Sequence, residues 1–182
     1  MDAARELFVA KGWAGTGMRE IAAAAGVALE TVYAHFSSKR GVLRAVADEA
    51  VVGDDAPLAL AQRPEFAALG RGRRSSRISA AADLATAVNV RTAAIAGLLR
   101  EAAPADAEIA ELLHATRERQ REDVASGLTL ITGRPVTRVE TDGVWAVVSP
   151  EVYLLLVEQS GWTASQYRTW IIDVLEGLIP RS

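Results

Sequence analysis

Three observations predict an all-α fold in which a small three-helix head carries a larger helical bundle. Alanine, leucine, glutamate and arginine dominate the 182-residue chain, and alternating strand-like segments are nearly absent. Apolar residues recur instead at steps of three and four. Glycines and prolines fall where such runs stop, as helix ends require.

The first helix is predicted over about residues 2–11, stopped by Gly12. Short helices follow at about 18–25 and 29–34, with Gly26 in the turn between them, and a longer one at about 39–52. Gly53-Asp54-Asp55-Ala56-Pro57 breaks the pattern and divides the chain into a head, 1–52, and a body, 53–182. A short helix from Pro64 through Leu69 precedes a second break at Gly70-Arg71-Gly72. Residues 74–102 support one long helix with a buried stripe of Ile78, Ala82, Ala85, Val88, Thr92, Ile95, Leu99 and Ala102. Pro104 ends it, and Asp106 caps a helix that reaches about Thr132. Helices at about 136–148, 150–159 and 164–178 complete the bundle, with Pro150 suited to a first turn.

Composition excludes several classes. The chain has no cysteine, hence no disulfide framework, thiolate metal site or cysteine nucleophile, which fits a reducing cytoplasm. No apolar run approaches the roughly 18 residues of a membrane span. The opening MDAARELF carries charges where a signal peptide needs an apolar stretch, so a cytoplasmic protein with no membrane partner is expected. The lone His114 lacks companions for a metal site, and no clustered acids, bases or nucleophiles mark an enzyme, so neither metal nor cofactor is expected. A formal charge of −3 argues against indiscriminate nucleic-acid binding. In the head, Arg5, Lys11, Arg19, Lys39, Arg40 and Arg44 are balanced by Asp2, Glu6, Glu20, Glu30, Asp48 and Glu49.

The informative segment runs from Arg19 to Phe36. Two short helices crossing around a tight turn need a small residue at the contact, which Ala22 supplies, and a residue tolerant of positive φ, which Gly26 supplies. Ile21, Ala25, Val27 and Val32 are placed to seal the crossing. These positions alone would suit many helical hairpins. Gly12-Trp13, Thr16 to Ala22, Ala25 to Val27 and Thr31-Val-Tyr-Ala-His-Phe-Ser-Ser-Lys39 together resemble, in order, the signature of the TetR family of transcriptional regulators. The resemblance covers roughly residues 3–52.

It implies a TetR-like fold and a dimer that binds a palindromic operator in double-stranded DNA, most often as a repressor released by a small-molecule effector. The second helix of the pair would enter the major groove, with Ala28, Leu29, Glu30 and Tyr33 facing base edges. Thr16, Arg19, Thr31, Tyr33, His35 and Lys39 would hold phosphates. Glu30 either accepts from a cytosine amino group or points to solvent or Arg19. Ala28 and Gly17 stand where the family usually has Ser or Thr, although Glu20 keeps half of a capping box at Gly17. The usual basic arm before the first helix is missing, so either the natural start lies upstream or the arm is dispensable.

In the body, Arg91, Leu112, His114 and Trp145 are candidates to line an effector pocket. The family's four-helix dimer interface maps onto Val152, Leu155, Leu156, Tyr167, Trp170, Ile171, Val174, Leu175 and Leu178. The aromatics Trp145, Tyr153, Trp162, Tyr167 and Trp170 suit a cavity lining, an ordinary core or a subunit interface equally. The competing readings are a constitutive regulator without effector, and a helical enzyme or small-molecule-binding protein whose helix-turn-helix is incidental.

Overall fold

The computed structural model describes residues 1–53 and 59–179, and among them every regular element is helical. The head comprises α1 (Asp2–Gly15), α2 (Met18–Ala25), α3 (Leu29–Phe36) and α4 (Lys39–Val52). Gly12 interrupts α1 with φ of 69°, at the position where its end was expected. The body comprises α5 (Pro64–Ala67), α6 (Arg74–Ala102), α7 (Ala107–Thr132), α8 (Arg138–Val147), α9 (Pro150–Tyr153) and α10 (Ala164–Leu178). Of the expected break at 53–57, Gly53 closes α4 and the rest lies outside the described residues.

Caps explain most helix starts. Asp106 accepts from the amides of Glu108 (3.1 Å) and Ile109 (3.3 Å), as its position predicts. Ser38, Thr137, Ser149 and Thr163 cap α4, α8, α9 and α10 in the same way. The single helix expected at 150–159 is a departure: after Tyr153 the chain widens into a π-helical stretch, Leu154–Gln159.

Two apolar cores form, and the first ignores the predicted division. Phe8, Val42, Leu43 and Val46 of the head pack with Ile95, Leu99 and Ile109 of α6 and α7. Burying each such side chain contributes about 1.5–3 kcal/mol, so head and body are joined through apolar contact. The second core gathers Ile78, Leu128, Tyr167, Ile171 and Leu175, with Tyr153 edge-on to Tyr167 at 4.9 Å. The two tyrosines are therefore ordinary core aromatics.

Helix α6 is the centre of the bundle, touching α1, α4, α7, α9 and α10. By length and composition it would qualify as a membrane span, which amends the expectation that no such run exists; its packing partners account for that apolar character. It also clamps its neighbours. Arg74 donates to the carbonyls of Glu176 in the last turn of α10 and of Ile179 just past it, Arg77 to Ile131 in α7, and Arg91 to Ala50 and Val51 in α4. Each guanidinium meets carbonyls at a helix C-terminus, where the backbone acceptors run out of intrahelical donors.

Candidate nucleic-acid interface

The crossing of α2 and α3 depends on few atoms. Gly26 has φ of 68°, and its amide and that of Val27 return to the last carbonyls of α2. Ile21, Ala22 and Val32 are buried and hold the pair against α1 and α4. Ala25 and Val27, expected to seal the crossing, are exposed instead. They border a groove that Met1 and His35 also line and that reaches Val42 of α4. At Gly17 the half capping box is present: the Gly17 amide donates to Glu20 Oε2 at 3.0 Å. Glu20 also pairs with Lys11 at 2.8 Å, and this hydrogen bond followed by the Gly17 amide lowers its carboxyl below the usual range.

The joint between α3 and α4 is tighter than the sequence indicated. Ser37 takes a positive φ of 58°, and Ser38 Oγ accepts from the Gly41 amide at 3.1 Å. A Cβ on Gly41 would collide with the Phe36 carbonyl, so only glycine lets α4 approach the end of α3. That requirement passed unnoticed in the sequence, because φ at Gly41 is ordinary and no turn marks it.

The outer face of α3 presents Ala28, Glu30, Thr31, Tyr33, Ala34 and His35, with Tyr33 47% exposed. Among the base-edge candidates, Leu29 is the exception: it is half-buried against the first core, because its side chain points back toward the head. Glu30 makes no pair with Arg19. Arg19 is exposed, and its guanidinium forms no ion pair among the described residues.

Two phosphate candidates are committed to the fold. Thr16 is only 2% exposed, and its hydroxyl donates inward to the carbonyls of Leu7 and Gly12. Lys39 donates to the carbonyls of Trp13 (2.6 Å) and Thr16 (2.9 Å) and lies 3.9 Å from the Trp13 ring centroid. Burial lowers the pKa of its ammonium, against the pull of Asp106. Both residues hold the joint after α1 rather than an outward surface. His35 Nδ1 lies 3.0 Å from the Thr31 carbonyl, which leaves the other ring nitrogen facing outward from an exposed side chain.

Behind the head lies a cavity of about 520 Å³, bounded by α4, the segment before α6, and α6 to α10. Its volume suits a small organic molecule. None of Arg91, Leu112, His114 and Trp145 lines it. Arg91 clamps α4, Leu112 packs on the first core, His114 is exposed, and the Trp145 indole donates to Gln120 with Arg121 over its ring. Ala85 and Val88, expected in the buried stripe of α6, are half-exposed because they face this space. Asn89, which the apolar pattern passed over, is buried in the wall: its Nδ2 donates to Val148 O (3.0 Å) and Tyr167 Oη (2.9 Å). Its Oδ1 has no donor, an omission worth about 1–3 kcal/mol when a group is cut off from water.

On the last two helical segments, Tyr167, Ile171 and Leu175 are core residues, not surface. Val152, Leu156, Trp170 and Val174 are half-buried, and Leu155 and Leu178 are exposed. Trp162 stands edge-on to Trp170 with centroids 6.2 Å apart.

Residues 1–46 match the family model of bacterial regulatory proteins, tetR family. A crystal structure assigned to the TetR-family transcriptional regulators, from Rhodococcus sp., superimposes with a TM-score of 0.74 at 16% identity, over 98% of this chain and 95% of that chain. An HlyIIR mutant protein superimposes with a TM-score of 0.51 at 16% identity, over 99% and 93%. At such identity these overlays speak for the fold alone. No curated protein matches the chain. The head of this chain thus matches the regulatory helix-turn-helix segment of the bacterial tetR family, and the whole chain shares its fold with the TetR-family structure from Rhodococcus sp..

Proposed function

We propose that this DNA-binding regulator acts as a dimeric repressor that leaves a palindromic operator when a small molecule enters the cavity behind its head. The exposed face of α3 within the family-matched segment is the observation that carries the reading. In it, Ala28, Glu30 and Tyr33 read base edges, while Arg19, Thr31, Tyr33 and His35 hold phosphates. Lys39 and Thr16 serve the interface by fixing the joint that sets the angle of α3.

Residues 1–52 would act as the DNA-binding unit and residues 53–182 as the effector-binding and dimerisation unit. Dimerisation is assigned to the apolar surface of Val152, Leu155, Leu156, Trp170, Val174 and Leu178, which a second copy would cover. A two-fold dimer presents two α3 helices to half-sites one helical turn or a multiple apart. The effector shifts the operator equilibrium only if it binds one arrangement better than the other.

Selection of bound sequences from a random duplex library, with wild type beside Tyr33→Ala, tests the proposal. An enriched palindrome that the variant fails to enrich is expected. Enrichment of a single half-site would remove the dimer, and no enrichment from a folded wild type would remove the function.

A further inference from the structure

The charges around the cavity are not balanced. Of its lining groups, Arg117 is held by Glu151 at 2.5 Å and Arg119 by Asp48 at 2.9 Å. Both cations are therefore occupied, while Glu122 and Asp123 of α7 stand in no ion pair among the described residues. Glu122 is exposed, whereas Asp123 is half-buried and accepts no hydrogen bond there. Burial and then Glu122 push the Asp123 carboxyl above the usual range, against the pull of Arg119.

A second, independent group in the same wall also lacks a partner. Asn89 is 1% exposed and its Oδ1 has no donor. Its orientation is fixed, because the Val148 carbonyl can only accept and so must face Nδ2. The remaining wall is largely apolar, from residues such as Leu84, Val88, Ile95, Leu128 and Val144. Among the described residues the cavity therefore offers a hydrocarbon surface, an unneutralised carboxylate and a buried acceptor, but no unoccupied cation.

We infer that the effector is an apolar amine: a molecule with a hydrocarbon or aromatic body, a protonated nitrogen that pairs with Asp123, and a further N–H or O–H for Asn89. This rests on the reading of the cavity as the effector site. An anionic effector would have to displace Glu151 or Asp48 from its arginine, and a neutral one would leave Asp123 desolvated beside it.

Calorimetric titration with four probes of one skeleton tests the assignment: tryptamine, tryptophol, indole-3-acetate and 1-methyltryptamine. Tryptamine is expected to bind about tenfold tighter than the alcohol or the acid, the scale of one charged hydrogen bond. Asp123→Asn should erase that advantage and leave tryptophol binding unchanged, which shows that the cavity is intact. Methylating the indole nitrogen should weaken the amine severalfold. Equal binding of amine and alcohol, or preference for the acid, overturns the inference. If the alcohol or acid binds and also loosens operator binding, the effector reading survives without the amine. If none of the four binds, both fall.

Discussion

Lys39 and Tyr33 belong to one sequence signature, yet the structure gives them different work. The Lys39 ammonium ties two carbonyls across the joint between α1 and α4, whereas Tyr33 projects from α3. Lys39→Met is therefore expected to lower stability by about 1–3 kcal/mol, from two lost charged hydrogen bonds. Tyr33→Ala should stay within about 0.5 kcal/mol of wild type and lose operator binding. Urea unfolding beside a DNA-binding titration separates the two outcomes; equal stability of the variants would show that Lys39 is not structural. Asp123 carries a different signature. Its folded pKa is raised, so the folded state carries the full penalty of the charge at neutral pH and sheds it as pH falls through that value toward the ordinary 3.8. Asp123→Asn should melt above wild type near neutrality, with the gap closing on acidification. A gap independent of pH would contradict the desolvation account.

Helices whose signals are local were legible, and those set by close approach were not. The starts of α7 and α10 follow from Asp106 and from the run beginning at residue 164, and the α2–α3 turn follows from Gly26. Gly41 gave no local sign, since its need is imposed by the Phe36 carbonyl of another helix. Gly41→Ala should unfold the head or cost about 3 kcal/mol or more, as forced overpacking against backbone does; circular dichroism melting would read it, and a melt like wild type would refute the collision. The cavity escaped for a related reason. Apolar spacing marks a face as inward, but it does not say whether a neighbour fills the space, so Ala85 and Val88 join the expected buried stripe while Asn89 falls outside it. The pocket candidates failed because conspicuous side chains, Arg91 and Trp145, had found partners elsewhere. At α8, Thr137 and Glu140 form a capping box, and Arg134 pairs with Glu140 at 2.5 Å. The Arg134 hydrogen bond, then the Thr137 amide and hydroxyl, lower the Glu140 pKa from 4.5 to about 2. Its folded value lies below its unfolded one, so this stabilisation is present above 4.5 and lost as pH falls from there toward about 2. Glu140→Gln should thus melt below wild type near neutrality, with the two converging in acid; parallel curves would rule the cap out as the cause.

At the scale of the molecule, α4 is common property. One of its faces completes the first core under the head, and Ala47, Asp48, Ala50, Val51 and Val52 form part of the cavity wall. Its two ends are held by different partners. Arg40 reaches Asp106 (2.8 Å) and Glu108 (3.2 Å) at the start of α7, and Arg91 of α6 holds the carbonyls of its last turn. Arg40→Gln should leave operator and effector affinities within a few-fold of wild type while shrinking the loss of DNA affinity that the effector causes. Operator titrations with and without saturating effector measure that ratio, and an unchanged ratio would exclude the Arg40 link from the coupling. The clamp by Arg91 has a mechanical corollary. The 14 residues of α4 form a rod of about 21 Å fixed at its cavity end. Swinging that rod by about 5° moves its wall by about 0.5 Å one turn from the pivot, and moves the Lys39 end by about 2 Å. A guest molecule need only lean on the hinge for the far tip, and α3 braced upon it, to travel several times as far.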